Sequence, residues 1–179
     1  TMYEQFGYTP GLFTGNPDLK PEHSLSYELG ADLDLPEGRG TLGVTLFQSD
    51  IKDMIASTGT SATNLAGTST RKGVELSATW QANDWLHLAG SYTYTHGRSP
   101  GGERLVRRPA HEFGLQASAD ILDGRANVSA DLRHVAGSYD QEWFGAGSGT
   151  ISKLPQFTTV DLAARYDLTA NVALTGRIV

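Results

Sequence analysis

Side chains capable of chemistry are scattered along this sequence. His23, His87, His96, His111 and His134 are spread along the chain, and no His–Glu–x–x–His or similar spacing offers a metal two ligands on one face. Serines are plentiful, yet no Gly–x–Ser–x–Gly elbow selects one as a nucleophile. The glycines Gly145, Gly147 and Gly149 lack the following Lys-Ser/Thr and helix of a phosphate cradle. Asn127-Val128-Ser129 matches a glycosylation sequon only in the middle of an alternating stretch. Two groups remain, and both suit binding. Arg104, Arg107 and Arg108 put guanidinium groups into one loop, a composition fitted to holding an anionic group or phosphates. Tyr139, Trp143 and Phe144 supply ring faces that can stack on a large, partly apolar ligand. An enzyme, a resident metal and a cofactor are therefore not expected.

The elements that would carry these loops are announced by Asn16 to Gly30, NPDLKPEHSLSYELG. From Leu25 the apolar residues Leu25, Tyr27, Leu29, Ala31, Leu33 and Leu35 alternate with Ser26, Glu28, Gly30, Asp32 and Asp34. A helix would mix Glu28 and Asp32 into its apolar stripe, so the period of two predicts a strand with two unlike faces, and both prolines precede it.

The alternation then recurs. Residues 1 to 22 read as irregular, broken by Pro10, Gly11, Gly15, Pro17 and Pro21. A strand from about His23 to Leu35 ends at the turn PEGRG, and a second runs from Thr41 to about Ile51, where the phase change at Phe47 predicts a bulge between Phe47 and Asp50. A polar loop follows from Lys52 to about Lys72, with room for strand extensions at its ends. Val74, Leu76, Ala78 and Trp80 form the apolar side of a third strand, and the turn QAND leads to a fourth carrying Leu86, Leu88, Gly90, Tyr92 and Tyr94. After the loop from Gly97 to Arg108 come Phe113 to Ile121, the hairpin pair Asp123-Gly124, and Ala126 to Leu132. A third long loop, Ser138 to about Lys153, precedes Val160 to Leu168, the turn Thr169 to Asn171, and an eighth strand from Val172.

Connections thus run short, long, short, long, short, long, short. Tight turns at one end and long loops at the other are the pattern of antiparallel transmembrane barrels, and about eleven residues per strand at ~3.3 Å, tilted by ~45°, project to about 25 Å. The non-apolar phase holds Glu28, Asp32, Asp34, Glu75, Asp131, Arg133, Asp161, Arg165 and Arg177, which fits a hydrated lumen better than a protein core. Trp80, Trp85 and Tyr166 stand near the short turns, where an interfacial girdle would lie. The mean hydropathy of −0.31 agrees with such a barrel, because lipid-facing and lumen-facing residues average out. No apolar run is long enough for a transmembrane helix. A net charge of −6 argues against nucleic acid as a partner. No leader pattern opens the chain and Val179 falls in mid-strand, so a fragment of a longer precursor is expected.

Residues 15 to 30 resemble the stretch NP-x-LKPE-x-S-x-x-x-E-x-G of TonB-dependent outer-membrane receptors. Gly15, Asn16, Pro17, Leu19, Lys20, Pro21, Glu22, Ser24, Tyr27, Glu28 and Gly30 stand where that pattern expects them. FQSDIKDMI at Phe47 to Ile55 and RKGVEL at Arg71 to Leu76 match further, and LVRRPAHEF at Leu105 to Phe113 with YDLTANVALTGRIV at the end is similar to the cobalamin-receptor branch. The resemblance implies an all-β antiparallel transmembrane β-barrel segment, about eight strands of a 22-stranded up-and-down barrel closed around a plug. It also implies a Gram-negative outer membrane, active uptake of cobalamin or a ferric siderophore, TonB as partner through the plug, and contact with outer-membrane lipid and lipopolysaccharide. Arg104, Arg107 and Arg108 would then lie at the extracellular mouth, and Tyr139, Trp143 and Phe144 would face a corrinoid or siderophore. Two other readings stay open, a self-contained eight-stranded barrel with a structural or adhesin-like role and a soluble lipocalin-like binder.

Overall fold

The computed structural model describes residues 2–141 and 149–179. Eight long strands form one antiparallel sheet: β1 His23–Asp34, β2 Gly40–Lys52, β3 Thr68–Gln81, β4 Leu86–Arg98, β5 His111–Ile121, β6 Ala126–Ala136, β7 Phe157–Thr169 and β8 Val172–Ile178. Each pairs with its sequence neighbours in simple up-and-down order. Among the described residues the outer strands β1 and β8 do not pair with each other, so the sheet is open and the eight strands do not close a barrel of their own. Their free N–H and C=O groups would be intolerable in lipid without further partners.

The sheet has no apolar core. Among the described residues only Leu19, Ala62, Ala110, Ala126 and Val135 are buried apolar side chains, and apart from Ala126 they lie at or near the long-loop end. The apolar phase of the strands is open instead, with Leu29 73%, Leu174 59% and Leu115 44% exposed. In water such a face would be costly at ~25 cal/mol per Å², whereas against acyl chains it costs nothing. Among the described residues no helix is long and apolar enough to cross a membrane.

The opposite phase is laced with polar contacts. Ser26 and Ser49 hydroxyls meet at 2.6 Å, and Thr41 and Thr79 at 2.9 Å. Arg133 pairs with Glu112 at 2.9 Å, Arg165 with Asp167 at 2.7 Å and Arg177 with Asp161 at 3.3 Å. Glu112, Arg133, Asp161 and Arg177 line a concavity of about 720 Å³ that spans β4 to β8 and includes Asp131 and Thr159.

Four expectations are corrected. The bulge between Phe47 and Asp50 is absent: β2 keeps unbroken register with β1 from His23↔Lys52 to Asp34↔Thr41, and with β3 from Gly40↔Trp80 to Lys52↔Thr68. Phe47 simply remains on the polar phase. Its ring lies over Gly73, where a Cβ would stand 2.7 Å from Phe47 Cζ, and the Arg71 guanidinium sits 5.4 Å from its centroid. The register shift falls instead between Asp167 and Thr169. The leading segment is not wholly irregular, because it folds as α1 Met2–Phe6 and the two-residue strands Tyr8–Thr9 and Phe13–Thr14. The first long loop holds a hairpin of Ile55–Ser57 with Ala62–Asn64, while β3 begins at Thr68 as a strand extension of the expected kind. In the third loop Tyr139–Gln141 pairs with Ile151–Lys153. The Asp123-Gly124 turn is present, both residues at positive φ and the Arg125 N–H donating to Leu122 O at 3.1 Å.

Candidate functional site

Strand polarity gathers the long loops at one end of the sheet, where they pack on one another. The motif Asn16 to Glu22 is lashed to the first of them. Asn64 accepts the Lys20 N–H at Oδ1 (2.8 Å), and its Nδ2 donates to Lys20 O (3.0 Å) and Asp53 O (2.6 Å). Asn16 Nδ2 donates to Ala62 O at 3.0 Å, the Ile55 N–H donates to Glu22 Oε1 at 2.7 Å, and Leu19 is buried beneath. The family-like motif therefore acts here as a strap on a loop.

The arginine and aromatic groups, which the sequence places more than thirty residues apart, meet in space. The Arg104 guanidinium lies over the Tyr139 ring, 4.6 Å from its centroid. Arg107 Nε donates to Asp140 Oδ1 at 2.9 Å, while the Arg107 N–H donates to Tyr139 O at 2.7 Å. That second bond helps hold Arg107 in the left-handed region, φ +59°. Gly137 makes the docking possible: it adopts φ +70°, its carbonyl accepts the Ala110 N–H at 3.3 Å, and a Cβ there would stand 2.7 Å from that of Ala110. Arg107 beside Asp140 holds that carboxyl below the usual carboxylate range, with the Gln141 N–H assisting. The Ser99 hydroxyl does the same for Glu103.

This geometry sorts the candidate residues. Arg107 is offset by Asp140 and serves as a tie between the second and third loops. Arg104 occupies one face of Tyr139, so the two form a cationic, aromatic unit. Arg108 is exposed and makes no ion pair among the described residues. Trp143 and Phe144 lie outside the described residues. Asp140 and Asn64 are tying positions of the rim that residue types and spacing did not announce. Nothing in YDQE marks Asp140 as the partner of an arginine thirty-three residues earlier. Among the described residues no group of three acidic or histidine side chains could hold a metal. What the rim presents is a cationic, aromatic surface at the long-loop end.

Comparison with known proteins agrees with this architecture. The family model described as "TonB dependent receptor-like, beta-barrel" matches residues 1–178. The chain is 32% identical over 167 residues to the metal-pseudopaline receptor CntO of Pseudomonas aeruginosa, covering 86% of this chain and 23% of that protein. It is 30% identical over 177 residues to the vitamin B12 transporter BtuB of Photobacterium profundum, covering 92% and 27%. The chain thus spans about a quarter of the length of the curated relatives it matches. Among solved structures, the copper transporter OprC superposes with a TM-score of 0.73 at 20% identity over 98% of this chain and 28% of that one. The ferripyoverdine receptor of the Pseudomonas aeruginosa outer membrane does so with 0.73 at 16% over 89% and 23%, a likeness of fold alone. Receptors of this kind are transport proteins of the Gram-negative outer membrane and not enzymes, and the coreless two-faced sheet is a piece of such a wall. The chain belongs to the TonB-dependent receptor-like β-barrel family.

Proposed function

We propose that this chain is part of the wall of a 22-stranded outer-membrane receptor that actively imports a bulky, scarce nutrient, cobalamin first and a ferric siderophore second. One observation carries the reading: an open, eight-stranded sheet, apolar on one face and ion-paired on the other, cannot stand in a membrane unless further strands close it into a wider barrel. The ion-paired face suits a hydrated contact with a plug, and TonB acting on that plug would supply the energy. The relatives' names span metal-pseudopaline and vitamin B12, so the cargo class is a large metal-bearing molecule. Arg104, Arg108 and Tyr139 at the loop rim, with Trp143 and Phe144 in the same loop as Tyr139, would meet it first.

The test is uptake by the full-length receptor in a Gram-negative strain stripped of its own cobalamin and siderophore receptors. Radiolabelled cyanocobalamin or a ferric siderophore should accumulate only when TonB is present. Deleting residues 139–149, or changing Arg104 and Arg108 to Ala, should lower cargo affinity. Uptake independent of TonB would refute active transport, and unchanged affinity in both variants would remove this rim from recognition.

A further inference from the structure

The polar face carries Arg71, Arg133, Arg165 and Arg177 on its strands, and the last three are engaged by Glu112, Asp167 and Asp161 respectively. Arg71 is different. It is exposed and makes no ion pair among the described residues, although Glu28 and Glu75 lie on the same face. Its partner is a ring instead, with the guanidinium carbon 5.4 Å from the Phe47 centroid.

Phe47 is itself an odd residue for this face. It stands opposite Glu28 in β1 and Gly73 in β3, half-buried, and it fits there because Gly73 has no Cβ to meet its ring. Arg71 stands opposite Ser49 and Gly97. The second long loop leans on the wall at that point, since a Cβ at Gly97 would meet Leu105 Cδ1 at 2.9 Å. One step nearer the loops on the same face, Ser69 is fully buried, so the wall above Arg71 is roofed. Ring and guanidinium therefore form a ledge on the lumen wall just beneath the long loops. A guanidinium that has no carboxylate and is backed by a ring keeps its N–H fork for an outside acceptor. The ring beside it favours an acceptor attached to a planar, conjugated group. Glu28 and Glu75 oppose a second negative charge close by.

We propose that Arg71 and Phe47 form a binding site on the lumen wall for a planar aromatic molecule bearing one negative group, a carboxylate or phenolate, separate from the Arg104–Tyr139 unit at the rim. The site rests on the reading of the polar face as lumen and on no particular cargo. It is tested with benzoate on the purified full-length receptor in detergent at physiological ionic strength, by saturation-transfer NMR titration, in a background where Arg104→Ala and Arg108→Ala remove the rim cations. Benzoate should still bind in that background. Adding Arg71→Gln should weaken it about tenfold, as expected for loss of a hydrogen bond to a charged group, and Phe47→Leu should weaken it several-fold. Benzamide has the ring without the charge and acetate the charge without the ring, so each should bind about tenfold more weakly than benzoate. Heat-modifiable migration in gels checks that the variants are folded. No benzoate binding once the rim cations are gone, unchanged affinity in folded Arg71→Gln or Phe47→Leu, or parity among the three probes would overturn the proposal. Uptake of cyanocobalamin or a ferric siderophore is scored separately: benzoate bound at Arg71 without uptake upholds this site while the transport reading fails, and uptake without benzoate binding does the reverse.

Discussion

Leu115→Arg and Gln116→Arg are one position apart in β5 and should behave as opposites. Leu115 lies four residues from His111 at the loop end and six from Ile121 at the turn end. At ~3.3 Å per residue and ~45° of tilt it sits roughly 9 Å from one membrane boundary and roughly 14 Å from the other, close to the midplane. Its neighbours across the ladder are Gly90 and Leu132, both on the apolar phase, so an arginine there has only acyl chains around it. The expected cost is ~2–4 kcal/mol. Gln116 is opposite Asp131, which itself faces Asp161 in β7. An arginine at 116 places a cation opposite the Asp131 carboxylate, and the expected effect is within about 0.5 kcal/mol of zero or slightly favourable. Urea unfolding of the full-length receptor in phospholipid vesicles reads both values. Equal losses, or a larger loss for Gln116→Arg, would refute the assignment of faces.

Three other outcomes follow from particular contacts. Asn64→Ala removes the bracket on Lys20 and should free the leading segment by about 1–3 kcal/mol; faster amide exchange across residues 16–22 would report it, with β5 and β6 unchanged. Asp140 has a carboxyl depressed in the folded state, so its tie to Arg107 is complete above the ordinary carboxylate range and is lost as pH falls through the lowered value; exchange protection around Arg107 should drop there, and Asp140→Asn should abolish that pH dependence. Gly73→Ala forces a Cβ to within 1.9 Å of Tyr94 O and under the Phe47 ring, so it should cost about 1–3 kcal/mol and lower the yield of folded receptor, while Gly90→Ala leaves that yield unchanged.

Much of the sheet was legible because side-chain period is a local property. Alternation from Leu25 to Leu35 needs no distant partner to be read, and the order of short and long connections placed the strands up and down. The mistaken bulge shows where that logic stops. Phe47 breaks the apolar phase as a residue type, but Gly73 on the next strand gives its ring a place on the polar face, and a pairing partner cannot be read from β2 alone. The short strands within the leading segment and the loops were illegible for a related reason: two or three residues show no period, and their pairing depends on side chains such as Asn64 reaching across the fold. At the rim, residue types suggested anion and ring recognition, yet only tertiary structure could show that Arg104 lies on Tyr139 and that Arg107 is taken by Asp140.

One face of this sheet is assigned to lipid and the other to an aqueous lumen. This sequence has no cysteine, so single cysteines at positions 113 to 119 of the full-length receptor, with any cysteine outside these 179 residues first replaced by serine, can each carry a spin label without background. In bilayers, collision with dissolved oxygen should peak at 113, 115, 117 and 119, and collision with a water-soluble nickel complex at 114, 116 and 118. Loss of that alternation, or the opposite phase, would contradict the account.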